Sequence, residues 1–501
     1  MSSNTGVRRG IGLLLLLASG EVLAHTLVNH RYGFFRDELG TLGDALHLAW
    51  GYVSYPPLAP FVARIALELF GPSLVGLRLF AALAHGAAMV LAGLMARELG
   101  GGRRAEVVAA LAVGIAPVAV ATSSLYEYVS FDYLWWVLAA YSTIRLLRPG
   151  GERRPGPERW WLGIGLALGL GMMTRYTIAF FAAGLLGGLL LTPARRLLLS
   201  RWLWLGAALG LLLWLPNLWW QARHDFLSLE FLRSIHARDI RIGRTDGFWW
   251  KQAILGASLF TIPLCVAGLR FYFLKPEGRD FRALGWVFVL VLGLFAVARG
   301  RDYYMAPAYP ILLVAGAVAA EQWSRVARGL TWAALAGGAA LSAAFAMPLA
   351  PVNSAWWNIM DKNNGDMREE IGWPELVEAV AQVRDSLPAE ERAQAVILAG
   401  NYGEAGAVDL LGPRFGLPRA ISGINSYWLR GFGDPPPDTL VVIGLNRAAL
   451  DRDFESCEVA GHIANRYGVR NEETLYHPDI FVCRRARLPW PELWARLKSF
   501  G

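Results

Sequence analysis

The run from Arg36 to Pro60, RDELGTLGDALHLAWGYVSYPPLAP, sets two adjacent carboxylates, Asp37 and Glu38, between the first apolar segment of the chain and the second. Partial desolvation at a membrane surface is what turns a carboxylate into a useful general base. Behind the pair, Leu39, Leu42, Leu46 and Leu48 interleave with Asp44 and His47. That is the pattern of a helix lying in the interface plane, with its apolar face in acyl chain and its polar face in water. Tyr55-Pro56-Pro57 closes the run. By position alone a solvated acidic loop explains the pair equally well; the amphipathic helix and the Pro-Pro exit tip the reading toward chemistry.

Other candidates fall at the same face. Asp132 lies in SLYEYVSFDYLWW with Glu127 nearby, at the outer ends of two apolar runs. Arg175 interrupts an apolar block, where a cation without a partner is costly. A snorkelling arginine at a span end is the ordinary alternative, but a guanidinium also suits a phosphate through paired hydrogen bonds. Arg299, Arg301, Tyr303 and Tyr304 form a second cluster between two spans, the tyrosines being also ordinary belt residues. A basic loop carries Arg223, Arg233, Arg238, Arg241, Arg244 and Lys251, as if it met a phosphate or an anionic lipid. His224 and His236 have no metal-ligand spacing, so no metal and no cofactor is expected. In the tail, Gly400-Asn401-Tyr402-Gly403-Glu404 follows a strand and opens a helix, a Gly-rich turn with a weak claim to an anion. Ser422 to Trp428, SGINSYW, mixes polar and aromatic groups suited to a saccharide.

The elements that must position these residues follow from composition. The chain has 501 residues, 55% of them apolar and 12% aromatic, with 21 Trp, which is membrane-protein composition. Its formal charge of +8 is spread singly and in pairs between apolar runs, as loop anchors are, and nucleic acid is excluded as a partner. Arg8 and Arg9 precede an apolar run from Ile11 to about Val28, read as an uncleaved signal anchor. Further runs near 74–96, 106–124, 130–147, 160–192 (two short spans meeting at Thr174-Arg175-Tyr176), 202–220, 252–274, 283–298, 303–320 and 329–348 bring the expectation to about eleven crossings. Arg97, Arg103, Arg104, Arg145, Arg148, Arg153, Arg154, Arg159, Arg195, Arg196, Arg201, Lys275, Arg279, Arg282, Arg325 and Arg328 share one side if the N-terminus is cytoplasmic. The Asp37 loop, spanning 31–73, then faces outward. Residues 1–348 read as the membrane part. From 349 to 501 the long apolar runs end, strands are expected at 395–400, 439–444 and 480–483 and helices at 374–383 and 403–411, giving an extracytoplasmic α/β domain. Cys265 falls in a span, and Cys457 and Cys483 allow at most one disulfide in the tail.

The acidic pair, the amphipathic helix, the G-Y-x-x-x-P-P-L run, MTRYT at Met173 to Thr177, LPNLWWQ at Leu215 to Gln221, RDYYMAPAYP at Arg301 to Pro310, NYGEAGAVDL and SGINSYW occur in order along nearly the whole chain. As an ordered set they resemble the polytopic glycosyltransferases of the GT-C class, within it the protein-mannosyltransferase-like and RgtA/B/C/D-like families, related to the lipid A aminoarabinose transferases. The resemblance implies a monosaccharide donor on polyprenyl phosphate and a lipid, glycan or protein acceptor. It implies Asp37 as the base, with Glu38 orienting it or binding the acceptor, and Asp132 as a second acid. Arg175, Arg299, Arg301 and Tyr303 would hold the donor phosphate, and Tyr55, His47 and Arg241 would belong to the acceptor or donor loop. Those transferases carry Lys where this chain has Tyr55, which leaves that phosphate contact without a residue. The location implied is a bacterial inner membrane, with the C-terminal domain periplasmic. A transporter or flippase of lipid-linked sugars is the alternative, disfavoured because the charges sit at the outer ends of the spans and no repeat is visible.

Overall fold

A computed structural model describes residues 2–148 and 156–501, with side chains from Gly10 onward; Arg153 and Arg154 of the charge asymmetry, and the side chains of Arg8 and Arg9 before the first apolar run, lie outside what is described. The chain opens with α1 (Ser2–Val28), the short helix α2 (Arg36–Ala45), α3 (Leu58–Phe70) and α4 (Leu74–Glu98). Then come α5 (Arg103–Gly114), α6 (Pro117–Ser124), α7 (Tyr128–Leu147), α8 (Trp160–Met172), α9 (Ile178–Leu190) and α10 (Arg201–Arg223). After α11 (Leu227–Arg241) and the single turn α12 (Phe248–Lys251), α13 (Ile262–Leu274), α14 (Arg282–Val297), α15 (Tyr309–Ala320) and α16 (Arg325–Ala346) complete the apolar part.

Among the described residues, six stretches are long and apolar enough to cross a bilayer, and up to eight if each of two bent pairs counts as one span. Of the remaining apolar runs, 130–147 is the unbroken 20-residue helix α7, and the others are bent or short. The run 106–124 bends by 60° where α5 meets α6, because Pro117 has no N–H and its ring disfavours helix at the residue before it. The carbonyls freed there are answered by side chains: Gly114 O lies 3.1 Å from His85 Nε2 and Ile115 O accepts from Ser342 Oγ at 2.8 Å. In a bilayer nothing else is available to satisfy them. The block 160–192 divides into α8 and α9, each 13 residues, and 252–274 is a regular helix only from Ile262. Thirteen residues rise about 20 Å against a hydrocarbon core of about 30 Å. Small residues let these helices close on each other: a Cβ on Gly165 of α8 would lie 2.0 Å from the Gly206 carbonyl of α10, and one on Gly316 of α15 as close to the Leu264 carbonyl of α13.

Beyond α16 the chain forms α17 (Ala355–Asn363), α18 (Trp373–Asp385), α19 (Ala389–Gln394), β1 (Val396–Ala399), α20 (Tyr402–Leu411), β2 (Ala420–Ile421), α21 (Asn425–Trp428), β3 (Thr439–Ile443), β4 (Phe454–His462) and β5 (Asp479–Ala486). The sheet order is β2-β1-β3-β5-β4. The first three strands are parallel, while β5 is antiparallel to both β3 and β4. Ile397, Val441 and Val482 face one layer with α18 and α20; Leu398, Leu440, Val442 and Phe481 face the other with Trp490 and Trp494. Cys457 and Cys483 lie opposite each other in register on β4 and β5 and are joined as a disulfide.

Candidate active site

The site is built on the first turn of α2. Glu38 is fully buried and each of its oxygens takes two hydrogen bonds. Oε1 accepts from Arg78 Nε at 2.8 Å and Tyr126 N at 2.7 Å; Oε2 accepts from Arg78 Nη2 and Phe35 N, both at 2.7 Å. Arg78, on α4, is itself fully buried and also donates to Glu370 Oε2 at 2.9 Å and to the carbonyls of Asn29 and Gly33. A buried ion set survives only when every lone pair and proton is answered, and Arg78 with Glu38 meets that condition. Glu38 therefore has no group left for a substrate. It fixes its neighbour Asp37 and, through Tyr126 N, the next residue of a second loop, Glu127.

Asp37 points the other way, into a cavity of ≈ 1620 Å³, larger than the usual small-molecule site. Its Oδ1 accepts from Tyr402 Oη at 2.6 Å. Tyr402 is the first residue of α20, which Asn401 caps by accepting from Glu404 N while Glu404 Oε2 accepts from Asn401 N. The expected Gly-rich turn is thus the mount for a hydrogen bond to Asp37. Glycines at i and i+3 on both helices allow the approach. A Cβ on Gly40 would meet the Tyr402 ring at 2.7 Å, and one on Gly43 the Tyr427 hydroxyl at 2.2 Å. From the other side, a Cβ on Gly406 would lie 2.2 Å from the Leu39 carbonyl.

Arg175 stands at the break between α8 and α9, on the same cavity. Its guanidinium lies 4.1 Å from the ring centre of Tyr304, 5.4 Å from Tyr128 and 5.5 Å from Tyr303, an aromatic cage of the kind that stabilises a desolvated cation. Asp132 backs it, with Oδ2 3.7 Å from Arg175 Nη1, while accepting from Trp136 Nε1 at 3.1 Å and Thr177 Oγ1 at 3.2 Å. Fully buried and off the cavity wall, Asp132 holds Arg175 instead of facing a substrate. Glu127, five residues earlier, is the carboxyl on the wall beside Asp37. Burial, then the charges of Asp37 and Asp366, raise it well above the usual glutamate range and favour its protonated form.

The other expected residues are distributed unevenly. Arg299 lines the cavity with its head exposed and only a 3.9 Å approach to Asp246. Arg301 lines it too, but its fork is closed on Asp239 at 2.6 and 3.1 Å, so it has less to offer an anion than Arg299. Tyr303 lies between them, its hydroxyl accepting from Arg301 Nη1 at 3.3 Å. Tyr55 lines the cavity and donates to Asp44 Oδ2 at 2.7 Å, facing α2 and not a phosphate. His47 is off the wall, between the Gly43 carbonyl and Arg419. Arg241, at the exposed end of α11, is also off the wall; its neighbours Arg233, Arg238 and Arg244, with Lys251, are on it. Asp366, Arg78, Glu370 and Tyr402 had no assigned role in the sequence. Among the described residues no three His, Cys, Asp or Glu groups are placed to hold a metal ion.

With its apolar helices, the buried helix α2 among them and a C-terminal α/β layer, the chain is a multi-pass integral membrane protein. Residues 54–220 match the family described as Dolichyl-phosphate-mannose-protein mannosyltransferase, so the resemblance read from the sequence is borne out. The chain is 29% identical over 225 residues to Lipid A galacturonosyltransferase RgtD of Rhizobium johnstonii, covering 44% of this chain and 46% of that one. It is 26% identical over 332 residues to Undecaprenyl phosphate-alpha-4-amino-4-deoxy-L-arabinose arabinosyl transferase 1 of Pseudomonas fluorescens, covering 60% of this chain and 58% of that one. The match thus spans about half the length of these curated relatives. The crystal structure of ArnT from Cupriavidus metallidurans bound to undecaprenyl phosphate superposes over 94% of this chain and 97% of that one, with a TM-score of 0.61 at 15% identity. The fold is therefore ArnT-like from end to end.

Proposed function

We propose that this chain is a membrane glycosyltransferase that moves a monosaccharide from a polyprenyl-phosphate carrier to the hydroxyl of a lipid, glycan or protein acceptor at the extracytoplasmic face. The observation that carries the reading is one cavity with a positioned carboxylate, Asp37, on one wall and a caged, desolvated guanidinium, Arg175, on another. Tyr402 occupies Asp37 Oδ1 and leaves Oδ2 to take the acceptor proton. As the acceptor oxygen bonds to the anomeric carbon, the bond from that carbon to the phosphate oxygen breaks and its electron pair leaves with polyprenyl phosphate. The transition state is oxocarbenium-like, as in glycosyl transfer generally. Arg175 and Arg299 meet the charge growing on the departing phosphate, an electrostatic contribution that needs no rearrangement at the moment of reaction. The names of the relatives, one of them crystallised with undecaprenyl phosphate, support this carrier.

The same reading divides the chain at 348/349 into a membrane part and a periplasmic domain, with the N-terminus in the cytoplasm of a bacterial inner membrane. Basic residues concentrated in alternate loops support that orientation. So does the Cys457–Cys483 disulfide, since such bonds persist on the oxidising side of a membrane.

The test incubates purified protein in detergent with a panel of radiolabelled polyprenyl-phosphate sugars, wild type beside Asp37→Asn. Release of label by wild type alone is expected. If neither protein consumes a donor, and a labelled lipid sugar instead crosses proteoliposome membranes, the chain is a transporter and the reading fails.

A further inference from the structure

Resting on that reading, we infer that the acceptor is an uncharged, hydroxyl-bearing molecule, a neutral glycan or polyol, received between α2 and the C-terminal domain. Asp37, Thr41 and Asp44 stand at i, i+4 and i+7 on one face of α2 and all line the cavity. Across from them are Ser54 and Tyr55, with Asn425 from the SGINSYW segment. The neighbouring Ser426 ties the two parts together, its Oγ accepting from Val53 N at 3.1 Å. Asp44 takes the Tyr55 hydroxyl and an ion pair from Arg430, whose guanidinium stacks 3.9 Å over Tyr427. The Tyr55 ring is 5.5 Å from Tyr128, which in turn lies against Arg175. An aromatic partition therefore stands between this space and the proposed phosphate site, and the two open onto each other in one cavity.

The charge is divided in the same way. On the α2 side both guanidiniums are ion-paired, Arg36 with Glu472 and Arg430 with Asp44, although Arg36 Nε and Arg430 Nη1 have no hydrogen-bond partner among the described residues. Asp37 and Asp366 have no ion-pair partner among the described residues. The cations without a close carboxylate belong to the opposite wall: Arg233 and Arg238, for which no ion pair is found among the described residues, and the exposed heads of Arg244 and Arg299, 4.0 and 3.9 Å from theirs. A phosphate or carboxylate brought to α2 meets the like charge of Asp37 and cations whose charge is already matched by a carboxylate. A hydroxyl meets what it needs, carboxylate, hydroxyl and amide oxygens that accept its proton. The nucleophile is then an alcohol whose proton passes to Asp37 and from there to water, while polyprenyl phosphate leaves with the electrons of the broken bond.

The experiment uses the full chain in detergent, the labelled donor it consumes, and two acceptors with the same alkyl tail, a neutral alkyl glucoside and its 6-phosphate. The neutral glucoside is expected to show at least about tenfold higher kcat/KM, the scale of one unfavourable charge contact. Ser54→Leu narrows this space without touching Asp37 or Arg175, and is expected to raise the glucoside KM about tenfold. Donor KM and melting temperature should stay at the wild-type values. Equal or better use of the phosphate, a glucoside KM unmoved by Ser54→Leu, or donor spent on water with neither acceptor glycosylated overturns the inference. A chain that consumes no donor at all instead overturns the glycosyltransferase reading beneath it, and the two failures are read separately.

Discussion

Tyr402→Phe is the substitution that separates the roles of the two domains. It removes one oxygen, the donor 2.6 Å from Asp37 Oδ1, and leaves the ring that Gly40 admits at close range. The packing of α2 on α20 should therefore persist, and the melting temperature in detergent should stay close to wild type. What is lost is a hydrogen bond to a charged group, worth about 1.5–3 kcal/mol. If that bond orients the base in the transition state, kcat falls by about 10- to 100-fold. Donor KM is expected to hold, because Tyr402 lies on the wall away from Arg175. The assay is initial-rate transfer of labelled sugar at saturating donor, with thermal unfolding as the control. A variant that melts like wild type and turns over at the wild-type rate refutes the idea that the C-terminal domain positions Asp37. A variant that loses rate and stability together shows only that the hydroxyl holds the two domains in register.

Three further outcomes follow from the same geometry. Arg78→Met leaves Glu38 and Glu370 buried without their cation, at a cost of about 3–5 kcal/mol; a large drop in melting temperature is expected, partly restored by adding Glu38→Gln and Glu370→Gln, and an unchanged melt would falsify the assignment of Arg78 as the structural knot. Burial and the charges of Asp37 and Asp366 favour the uncharged form of Glu127, which Glu127→Gln mimics, so this variant should keep most transfer activity where Asp37→Asn loses it; parallel rate measurements decide. Burial pushes Glu404 up to about 8 and Glu473 up to about 7 from an ordinary 4.5. The folded state therefore binds more protons than the unfolded between those values, and the contribution of these groups to stability, complete below about pH 4.5, is lost as pH rises through 7 to 8. Melting temperature recorded from pH 5 to 9 should fall across that window, and Glu404→Gln should flatten the fall.

What the sequence revealed of this site depended on how far apart the interacting residues lie. The interfacial helix is legible because its leucines and acids alternate within ten residues. So is the break at Arg175, a lone cation in an apolar run. Strands β1, β3 and β5 are apolar enough to stand out; β2 has two residues, and β4 is an edge strand whose outward residues are polar. Between Glu127 and Asp132 the sequence offers no choice, since both are acids near a span end. The choice is made by where α7 starts: Glu127 precedes its first turn and remains on the cavity wall, while Asp132 is carried one turn in and buried. Arg301 looked available for a phosphate because its partner Asp239 is 62 residues away. Tyr402 is 365 residues from Asp37, beyond any local pattern, though a strand followed by a capped helix with glycines at i and i+3 is a signal that close packing was intended. The expected eleven crossings exceed the six to eight stretches among the described residues that are long and apolar enough to span. Apolar runs record where side chains avoid water, and a run broken by Pro117 or shared between two 13-residue helices avoids water as well as one straight helix does.

The position of Asp37 is decided twice, and neither decision is made within α2. From below, Glu38 is pinned by an arginine of α4, so the first turn of α2 cannot rotate without stranding two buried charges. From above, Tyr402 reaches down from α20 and takes one carboxylate oxygen, so the other is the one presented to the cavity. The loop bearing Glu127 is held by the same Glu38 through Tyr126 N. A single buried carboxylate thus sets the spacing between the proposed base and Glu127, the carboxyl beside it on the cavity wall. The second residue of the acidic pair is invisible to the substrate and yet fixes the geometry the first requires, which gives a physical reason for two adjacent acids where chemistry uses one.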